Sequence, residues 1–368
     1  MPEEICLIFH NSCDWDAPPA RQRYLMAALS RYIPIIYLDG TAEQRGKVSF
    51  KNPQENVTVV KGLLSMILAM MRRKLFFLIP LYVRWKLRWV YRKYSRVLLW
   101  NMDNWTRIER WVKHDAMIFD CIDPCFSEDP KENEEFDQRE TEITQLAKKT
   151  FASAETLLEK CRKVDPSAIL LNNACEPGDY TDDEFASDPK PSWWPETQKP
   201  IVACLSSLDW RVDFDFLQFA AEDNPNVQFI LAGNIIPDVK QRVEGLACLP
   251  NVICPGRVSV SEGRYLLSRC TVGLIPYTVS TMNDAINPVK VYLYALLGKP
   301  VVGTAIHELL IRPDIALTAG NASDFSQAIR SAMQLSASRS HQEALKEFAL
   351  RNTWEQRAAQ AWEEIKDL

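Results

Sequence analysis

Short apolar segments recur along this 368-residue chain, and most are followed by an amphipathic stretch long enough to form a helix. This alternation is typical of a parallel β-sheet wrapped by helices, because parallel strands are buried on both faces and need long crossover connections. The strands predicted in the first half cover residues 4–9, 33–38, 57–60, 96–100, 116–120, 149–152 and 167–172. After Pro200 the pattern restarts, with strands predicted at 201–205, 227–231, 251–254, 271–276 and 299–303. The order of elements therefore predicts two consecutive α/β wrappings.

The length of the chain agrees with this division, since one hydrophobic core rarely organises so many residues. A loop rich in proline, tryptophan and acidic residues, 176–200, separates the two runs of strands and is predicted to be a linker. We therefore predict an N-terminal domain at 1–190 and a C-terminal domain at 198–345. Thr353, followed by Trp354 and Glu355, has the pattern of a capped helix start, so 346–368 is predicted to be a C-terminal helical segment.

Charge is distributed unevenly, although the net charge is only −5. Residues 61–96 contain ten Lys or Arg and no Asp or Glu. The apolar runs inside this segment are too short for a membrane span, which needs roughly 20 apolar residues. Interleaved cations, Trp and Tyr predict a surface that lies on anionic lipid headgroups, while the alternative is a solvated face of helices that cover the sheet. No nucleic-acid-binding module surrounds the segment, so we expect no nucleic-acid partner.

The cysteines and histidines suggest no metal centre. Ten cysteines occur, but the closest pair, Cys121 and Cys125, lacks the two-residue spacing of zinc or thioredoxin motifs. The acidic amino terminus leads directly into an apolar strand and has no signal-peptide pattern. We therefore expect reduced thiols, a cytoplasmic location that is peripheral to the inner membrane face, no metal and no cofactor.

The most informative segment is 271–304. It predicts a buried strand that ends at Pro276, a polar loop, and a helix that begins near Pro288. A loop that leads from a parallel strand into a helix N-terminus is where doubly wound sheets bind phosphate. Asn287 is predicted to cap the helix, and Lys290 lies in its first turn, where a cation opposes the helix dipole unless an anion is near. From these features alone, a phosphate-binding lysine and a solvated lysine fit equally well.

This segment resembles the donor-site block of GT-B glycosyltransferases, specifically a family-4-like group that includes teichuronic-acid and related polysaccharide transferases. The matching residues are Leu274-Ile275-Pro276, Asn287-Pro288-Val289-Lys290, Tyr294-Ala295 and Gly298-Lys299-Pro300-Val301-Val302. Weaker matches cover 14–21, 119–123, 207–213, 251–257 and 354–355. The resemblance implies two Rossmann-like domains that face a cleft, and a C-terminal helix that crosses back to the first domain. It also implies metal-independent transfer from a UDP- or GDP-type sugar to a lipid-linked or polysaccharide acceptor.

The resemblance assigns donor contacts to residues of the second domain. Lys290 and Arg211 are expected to stabilise the leaving diphosphate, and Arg257 is a third candidate. The helix start at Asn287 and Pro288 is expected to assist them. Tyr294 occupies a further matched position of the donor block.

An inverting reaction also needs a base for the acceptor hydroxyl. We predict Asp123 for this role, with Asp120 next, because both end an apolar strand. Turn-forming or capping roles explain these two aspartates equally well. His10 is a candidate of lower rank.

Two positions depart from the family pattern. The two donor-binding glutamates of retaining family-4 enzymes align with Ala285 and Leu293, and Asp284 lies one residue from the first of them. An altered donor contact, an inverting mechanism and a weakened enzyme all remain open. So do two other functions: a nucleotide-sugar epimerase of the same fold, and a non-catalytic module that binds sugar nucleotides or membranes.

Overall fold

A computed structural model describes residues 3–10, 13–17, 20–40, 48–103, 106–124, 130–181, 185 and 188–368. The chain forms two compact units. Unit 1 consists of Met1–Asn172 and Trp354–Leu368, and unit 2 consists of Asn173–Thr353. The residues after 172 belong to unit 2 because side chains of the predicted linker, including Trp193 and Trp194, pack against its core. The first boundary therefore lies earlier than 190, and the last begins at 354 rather than 346.

Unit 1 contains an eight-stranded sheet with the strand order β3-β4-β2-β1-β5-β6-β7-β8. Its strands are β1 (Glu3–His10), β2 (Ile35–Leu38), β3 (Ser49–Gln54), β4 (Val57–Lys61), β5 (Tyr94–Asn101), β6 (Ala116–Cys121), β7 (Lys149–Ala152) and β8 (Ile169–Leu170). All neighbouring strands are parallel except β3, which runs antiparallel to β4 at the edge. The helices are α1 (Arg21–Leu29), α2 (Leu63–Arg72), α3 (Ile79–Lys86), α4 (Arg88–Lys93), α5 (Pro130–Leu146) and α6 (Glu155–Arg162).

Unit 2 contains a six-stranded parallel sheet with the order β11-β10-β9-β12-β13-β14. Its strands are β9 (Ile201–Leu205), β10 (Gln228–Ala232), β11 (Val252–Gly256), β12 (Val272–Ile275), β13 (Val301–Thr304) and β14 (Ala316–Ala319). Its helices are α7 (Phe214–Asp223), α8 (Lys240–Ala247), α9 (Val260–Arg269), α10 (Thr281–Asp284), α11 (Val289–Leu296), α12 (His307–Leu310), α13 (Ala322–Leu335) and α14 (Arg339–Leu350). The last helix of the chain, α15 (Trp354–Ile365), belongs to unit 1.

The strand order reverses once in each sheet, between β1 and β5 in unit 1 and between β9 and β12 in unit 2. The connections on the two sides of such a point leave in opposite directions, and a crevice opens at the carboxyl ends of the strands. Ligands of open α/β sheets bind there. Functional side chains are therefore expected at these two edges.

The predicted doubly wound architecture is confirmed, and every strand predicted from the sequence overlaps an observed one. Two strands were not predicted. β3 has mostly exposed residues and lies at an edge, so its sequence carries no apolar run. β14 is a four-residue strand with only its two end residues buried, which is too short to stand out. Within the described ranges, no helix is both long enough and apolar enough to span a membrane.

Candidate functional site

The crevice of unit 2 is bordered by the loops that follow β9 and β12. These loops are joined by backbone hydrogen bonds, from Asp213 N to Pro276 O at 2.7 Å and from Thr278 N to Arg211 O at 2.7 Å. Val212 and Tyr277 also form an isolated antiparallel bridge. The two loops therefore form one connected border at the point where the strand order reverses.

Lys290 lies at this border, in the first turn of α11. Pro288 occupies the N-cap position of the helix, and its side chain makes no capping hydrogen bond. Burial lowers the pKa of the Lys290 ammonium, and only the nearby Cys204 thiol acts in the opposite direction. Across the part of the chain that the structure describes, no carboxylate lies within ion-pairing distance of Lys290. A half-buried lysine without an anionic partner is costly to keep charged, so its position favours a bound anion.

Two arginines extend from the same edge of the sheet. Arg211 Nη2 donates to Asp209 Oδ2 at 2.6 Å, and Arg211 Nε donates to Asp209 Oδ1 at 3.0 Å. This pair holds a partly exposed guanidinium at the border. Arg257 is exposed and directly follows Gly256, whose φ of 77° lies in the left-handed region that favours glycine. Because β11 lies two strands from β9, the loop with Arg257 and the loop with Arg211 begin about 10 Å apart.

The prediction that Asn287 caps α11 is wrong, because its side chain is held elsewhere. Asn287 Oδ1 accepts hydrogen bonds from Asn173 N at 2.9 Å and from the Tyr292 hydroxyl at 3.1 Å. Asn287 Nδ2 donates to Glu308 Oε2 at 2.6 Å. Asn287 is buried by these contacts, so it positions the helix start and leaves the first-turn N–H groups without a side-chain cap.

Tyr294 also has a structural role in place of the predicted donor contact. It is fully buried, and its hydroxyl donates to Ala203 O at 2.8 Å. A Cβ atom added at Gly273 would lie 2.3 Å from the Tyr294 ring, so glycine is required on β12 for this ring to fit. Tyr294 is one helical turn after Lys290. It therefore anchors α11 to β9 and sets the position of the lysine.

In unit 1, Asp120 has a different role from the predicted one. Its side chain has no exposed surface and is ion-paired with Arg21, which is also buried. A carboxylate held in this way does not present a base to a substrate. Asp123 is exposed, in a bend after β6, and it helps burial to raise the pKa of the Cys13 thiol. Asp123 thus remains the more accessible of the two predicted bases.

The crevice of unit 1 contains a group of polar residues that the sequence did not rank highly. His10 ends β1 and Asn101 ends β5, and His10 Nδ1 lies 3.0 Å from Asn101 Oδ1. Thr106 Oγ1 lies 3.2 Å from His10 Nε2. Only His10 was considered from the sequence. Asn101 was detectable as the polar residue that follows the apolar run 97–100, but nothing local connects Thr106 with His10.

Comparison with solved structures identifies the fold. The chain superposes on sucrose-phosphate synthase from Thermosynechococcus elongatus with a TM-score of 0.73 at 16% identity, covering 99% of each chain. It superposes on the E. coli trehalose-6-phosphate protein bound with UDP-2-fluoro glucose with a TM-score of 0.73 at 11% identity, again covering 99% of each chain. The chain has the GT-B fold.

Sequence comparison supports the same GT-B resemblance over a shorter stretch. The chain is 29% identical over 104 residues to Bacillus subtilis (strain 168) TuaH, which is named for glycosyl transfer in teichuronic acid biosynthesis. The match spans 28% of this chain and 26% of TuaH. No family model matches the sequence. The GT-B resemblance predicted from residues 271–304 is thus confirmed.

Apolar residues occupy the two positions that align with the donor-binding glutamates of family-4 enzymes. Leu293 and Ala285 are buried, with 8% and 6% of their surface exposed. Asp284 Oδ1 accepts a hydrogen bond from His307 N at 2.8 Å, so this carboxylate is held at the start of α12. Asp284 therefore does not replace the missing glutamate in this geometry.

The basic segment of this GT-B chain forms α2, α3, α4 and the first residues of β5. Around α3, a buried stripe of Ile79 and Val83 faces the interior. On the other side, Phe77, Leu81 and Trp85 are spaced by four residues and are 72%, 65% and 53% exposed. The helix and the turn before it are therefore apolar on two faces, and the described residues of unit 1 cover one of them.

Cations surround the exposed stripe. Arg84, Arg88 and Arg92 are all exposed, and Lys86 Nζ lies 4.4 Å from the centre of the Trp85 ring. Lys61 differs from this group, because it is only 15% exposed and its Nζ lies 2.9 Å from Asp16 Oδ2. The predicted membrane cations therefore begin after Lys61.

Proposed function

We propose that this protein is a glycosyltransferase that takes its sugar from a nucleoside-diphosphate donor bound by unit 2. The observation that carries the proposal is Lys290, a cation without a carboxylate partner in the described residues, at an uncapped helix start where the strand order reverses. Diphosphate oxygens are the anions that such a position accommodates. The GT-B fold and the local match to TuaH support this assignment.

Transfer requires the diphosphate to accept the electron pair of the broken C1–O bond. Positive charge placed beside that oxygen stabilises the transition state. We assign this role to Lys290 and Arg211, with Arg257 as a third contact and the N–H groups of α11 as dipolar support. These side chains supply the charge that a metal ion supplies in other transferases, so we propose that transfer is metal-independent. The donor is proposed to be of the UDP or GDP type, and two structures of the same fold are described as bound to UDP-2-fluoro glucose and to ADP and acarbose.

The acceptor is proposed to be a lipid-linked or polysaccharide glycan at the cytoplasmic face of a membrane. The exposed stripe of Phe77, Leu81 and Trp85, with the arginines beside it, supports this proposal. Apolar side chains flanked by cations match the apolar interior and anionic headgroups of a leaflet. The GT-B protein would then act on its acceptor while attached to the membrane surface.

A second function is favoured by one observation, the replacement of both donor-binding glutamates by buried Leu293 and Ala285. Leucine and alanine accept no hydrogen bonds from ribose or sugar hydroxyls. A protein with these two replacements would bind the diphosphate of a sugar nucleotide through its cations without transferring the sugar. This alternative is a sugar-nucleotide sensor or membrane-binding module.

Calorimetric titration with UDP-, GDP- and CMP-sugars, followed by analysis of the reaction products, tests the proposal. Incubation of one binding donor with membrane extracts should release free nucleoside diphosphate and label a glycan. Binding without release of diphosphate would support the non-catalytic alternative. Conversion of the donor to its epimer would identify an epimerase. Failure of every nucleotide sugar to bind would remove the proposed function.

A further inference from the structure

The crevice of unit 1 contains a buried polar chain of three side chains from different parts of the sequence. His10 and Asn101 face each other as register partners at the ends of β1 and β5, where the strand order reverses. Both are fully buried, whereas Thr106 in the following loop is partly exposed. This edge of an open α/β sheet is where a ligand binds, and polar residues buried there require a reason.

The hydrogen bonds determine which histidine nitrogen carries the proton. Asp103 N donates to Asn101 Oδ1 at 3.0 Å, so the atom that faces it must be the acceptor oxygen of the amide. His10 Nδ1 lies 3.0 Å from that same oxygen, and therefore Nδ1 is the protonated nitrogen. In neutral His10, Nε2 then has a free electron pair, and it lies 3.2 Å from the Thr106 hydroxyl. The arrangement is Asn101–His10–Thr106, with the threonine nearest to solvent.

One hydrogen-bond donor of these three side chains is unused. Asn101 Nδ2 is buried and has no hydrogen-bond partner within the part of the chain that the structure describes. Leaving a buried N–H group unpaired destabilises the fold, and such groups are rare in native proteins. A ligand oxygen that enters the crevice would accept this hydrogen bond. The unpaired Nδ2 of Asn101 therefore indicates a bound ligand, and this observation does not depend on His10.

We infer that the Asn101–His10–Thr106 chain binds a sugar hydroxyl of the acceptor and receives its proton during transfer. This inference rests on the proposed glycosyltransferase function. The hydroxyl oxygen attacks C1 of the donor sugar, and the bond from C1 to the diphosphate oxygen breaks with its electron pair leaving on the diphosphate. The hydroxyl proton passes to Thr106 Oγ1 as Thr106 releases its own proton to His10 Nε2. His10 thus acts through Thr106, and it replaces Asp123 as the final proton acceptor.

The charges that face His10 are suited to this role. Burial lowers the pKa of His10, while Asp103, whose Oδ2 lies 3.8 Å from Nε2, and more distant Glu109 act to raise it. Glu109 is itself paired with Arg139 at 2.6 Å. A lowered pKa keeps Nε2 unprotonated at neutral pH, and Asp103 stabilises the imidazolium that forms. Transfer should therefore be lost as the pH falls through the pKa of His10, because the protonated ring accepts no further proton.

The first test uses kinetics on the full chain with a donor that it binds. His10→Gln and Thr106→Val should each reduce kcat by at least ten-fold, with about 10²- to 10⁴-fold expected for loss of a general base. Thr106→Ser keeps the hydroxyl and should restore most of the kcat that Thr106→Val loses. The acidic limb of the pH–rate profile should disappear in His10→Gln. His114→Gln, a second histidine of unit 1, is the matched control for the histidine substitution.

The second test needs no activity. The chain has four histidines, so ¹⁵N-histidine NMR with His10→Gln for assignment reports on His10 directly. A protonated Nδ1 and a shift of the His10 signals on adding a panel of methyl hexosides, without a shift of His114, would support the inference. A protonated Nε2, or a His10 signal that no hexoside shifts, would overturn it.

The outcomes separate this inference from the proposed function. If the His10→Gln variant transfers sugar at the wild-type rate and still binds nucleotide, the role of His10 is overturned. The glycosyltransferase assignment is then unaffected. If the wild-type protein binds no nucleotide, the proposed function itself is overturned.

Discussion

Inside unit 1 the guanidinium of Arg21 donates to both oxygens of the Asp120 carboxylate. Nη2 lies 2.8 Å from Oδ1, and Nε lies 3.3 Å from Oδ2. Arg21 begins α1 and Asp120 lies near the end of β6, while the Trp354 ring of α15 lies 6.0 Å from the guanidinium carbon. The pair therefore connects three segments that are distant in sequence, and Asp120 stabilises the fold instead of acting on a substrate.

Replacing Arg21 by methionine should destabilise unit 1 by about 3–5 kcal/mol, because it leaves the buried Asp120 carboxylate without a counter-ion. Urea unfolding followed by circular dichroism measures the loss. The double variant Arg21→Met/Asp120→Leu removes both charges and should recover much of the stability. A single variant as stable as wild type would show that the ion pair contributes little.

Lys290→Ala should weaken the binding of nucleoside diphosphates while the protein stays folded. Loss of one charge-assisted contact costs about 1.5–3 kcal/mol, which corresponds to roughly 10- to 150-fold in affinity. Titration calorimetry measures the change. Lys240→Ala, an exposed lysine on α8 of the same unit, is the control and should bind normally. Equal affinity of the two variants would remove Lys290 from the site.

The affinity for nucleoside diphosphate should depend on pH through Lys290. Because burial lowers its pKa, Lys290 loses its charge at a lower pH than an ordinary lysine. Affinity should therefore fall on the alkaline side before other lysines titrate, and binding in that range should take up a proton. Calorimetry in buffers of different ionisation enthalpy detects the uptake. Lys290→Arg remains charged, so a fall that persists in this variant would assign the effect to another group.

Asp123→Asn distinguishes the two candidate proton acceptors of unit 1. Because His10 is inferred to accept the proton, Asp123→Asn should retain both transfer and donor binding. Loss of transfer with donor binding intact would instead make Asp123 the base, because no phosphate ligand is touched. Transfer assays and donor titration on the same preparation measure both properties. Wild-type activity in Asp123→Asn, together with an inactive His10→Gln, would place proton transfer at His10.

The protein should bind vesicles that contain anionic lipid and bind purely zwitterionic vesicles weakly. Each surface cation near an anionic leaflet contributes about 1 kcal/mol, and salt screens this attraction over about 8 Å at physiological ionic strength. High salt should therefore release part of the protein in a sedimentation assay. Reversing Arg84, Arg88 and Arg92 to glutamate should reduce vesicle binding and leave donor binding unchanged.

Two controls define the membrane surface. The same number of charge reversals on unit 2, at Lys240, Arg339 and Arg351, should leave vesicle binding largely intact. Phe77→Ala with Trp85→Ala should reduce the salt-resistant part of the binding. Equal binding to neutral and anionic vesicles, or none to either, would mean that the basic segment is only a solvated face.

The sequence by itself determined the architecture of this protein. The spacing of buried strands is local information, since a parallel strand needs a continuous apolar run and a crossover helix of predictable length. Pro288 also marks the start of α11 from local information, because proline is favoured at the beginning of a helix. The GT-B resemblance rests on the consecutive residues 271–304 and requires no knowledge of tertiary contacts. The missing carboxylates at Ala285 and Leu293 were also visible from the sequence.

Only the tertiary structure decided what the polar side chains do. Asp120 and Asp123 both lie at the end of one apolar strand, so the sequence does not distinguish them. The ion pair of Asp120 with Arg21, 99 residues away, gives Asp120 a structural role. The sequence predicts Asn287 as a helix cap, but in the fold its side chain is hydrogen-bonded to Asn173 and Glu308. A hydrogen bond or ion pair between distant residues leaves no periodic trace in a sequence, because it depends on which strand ends the fold brings together.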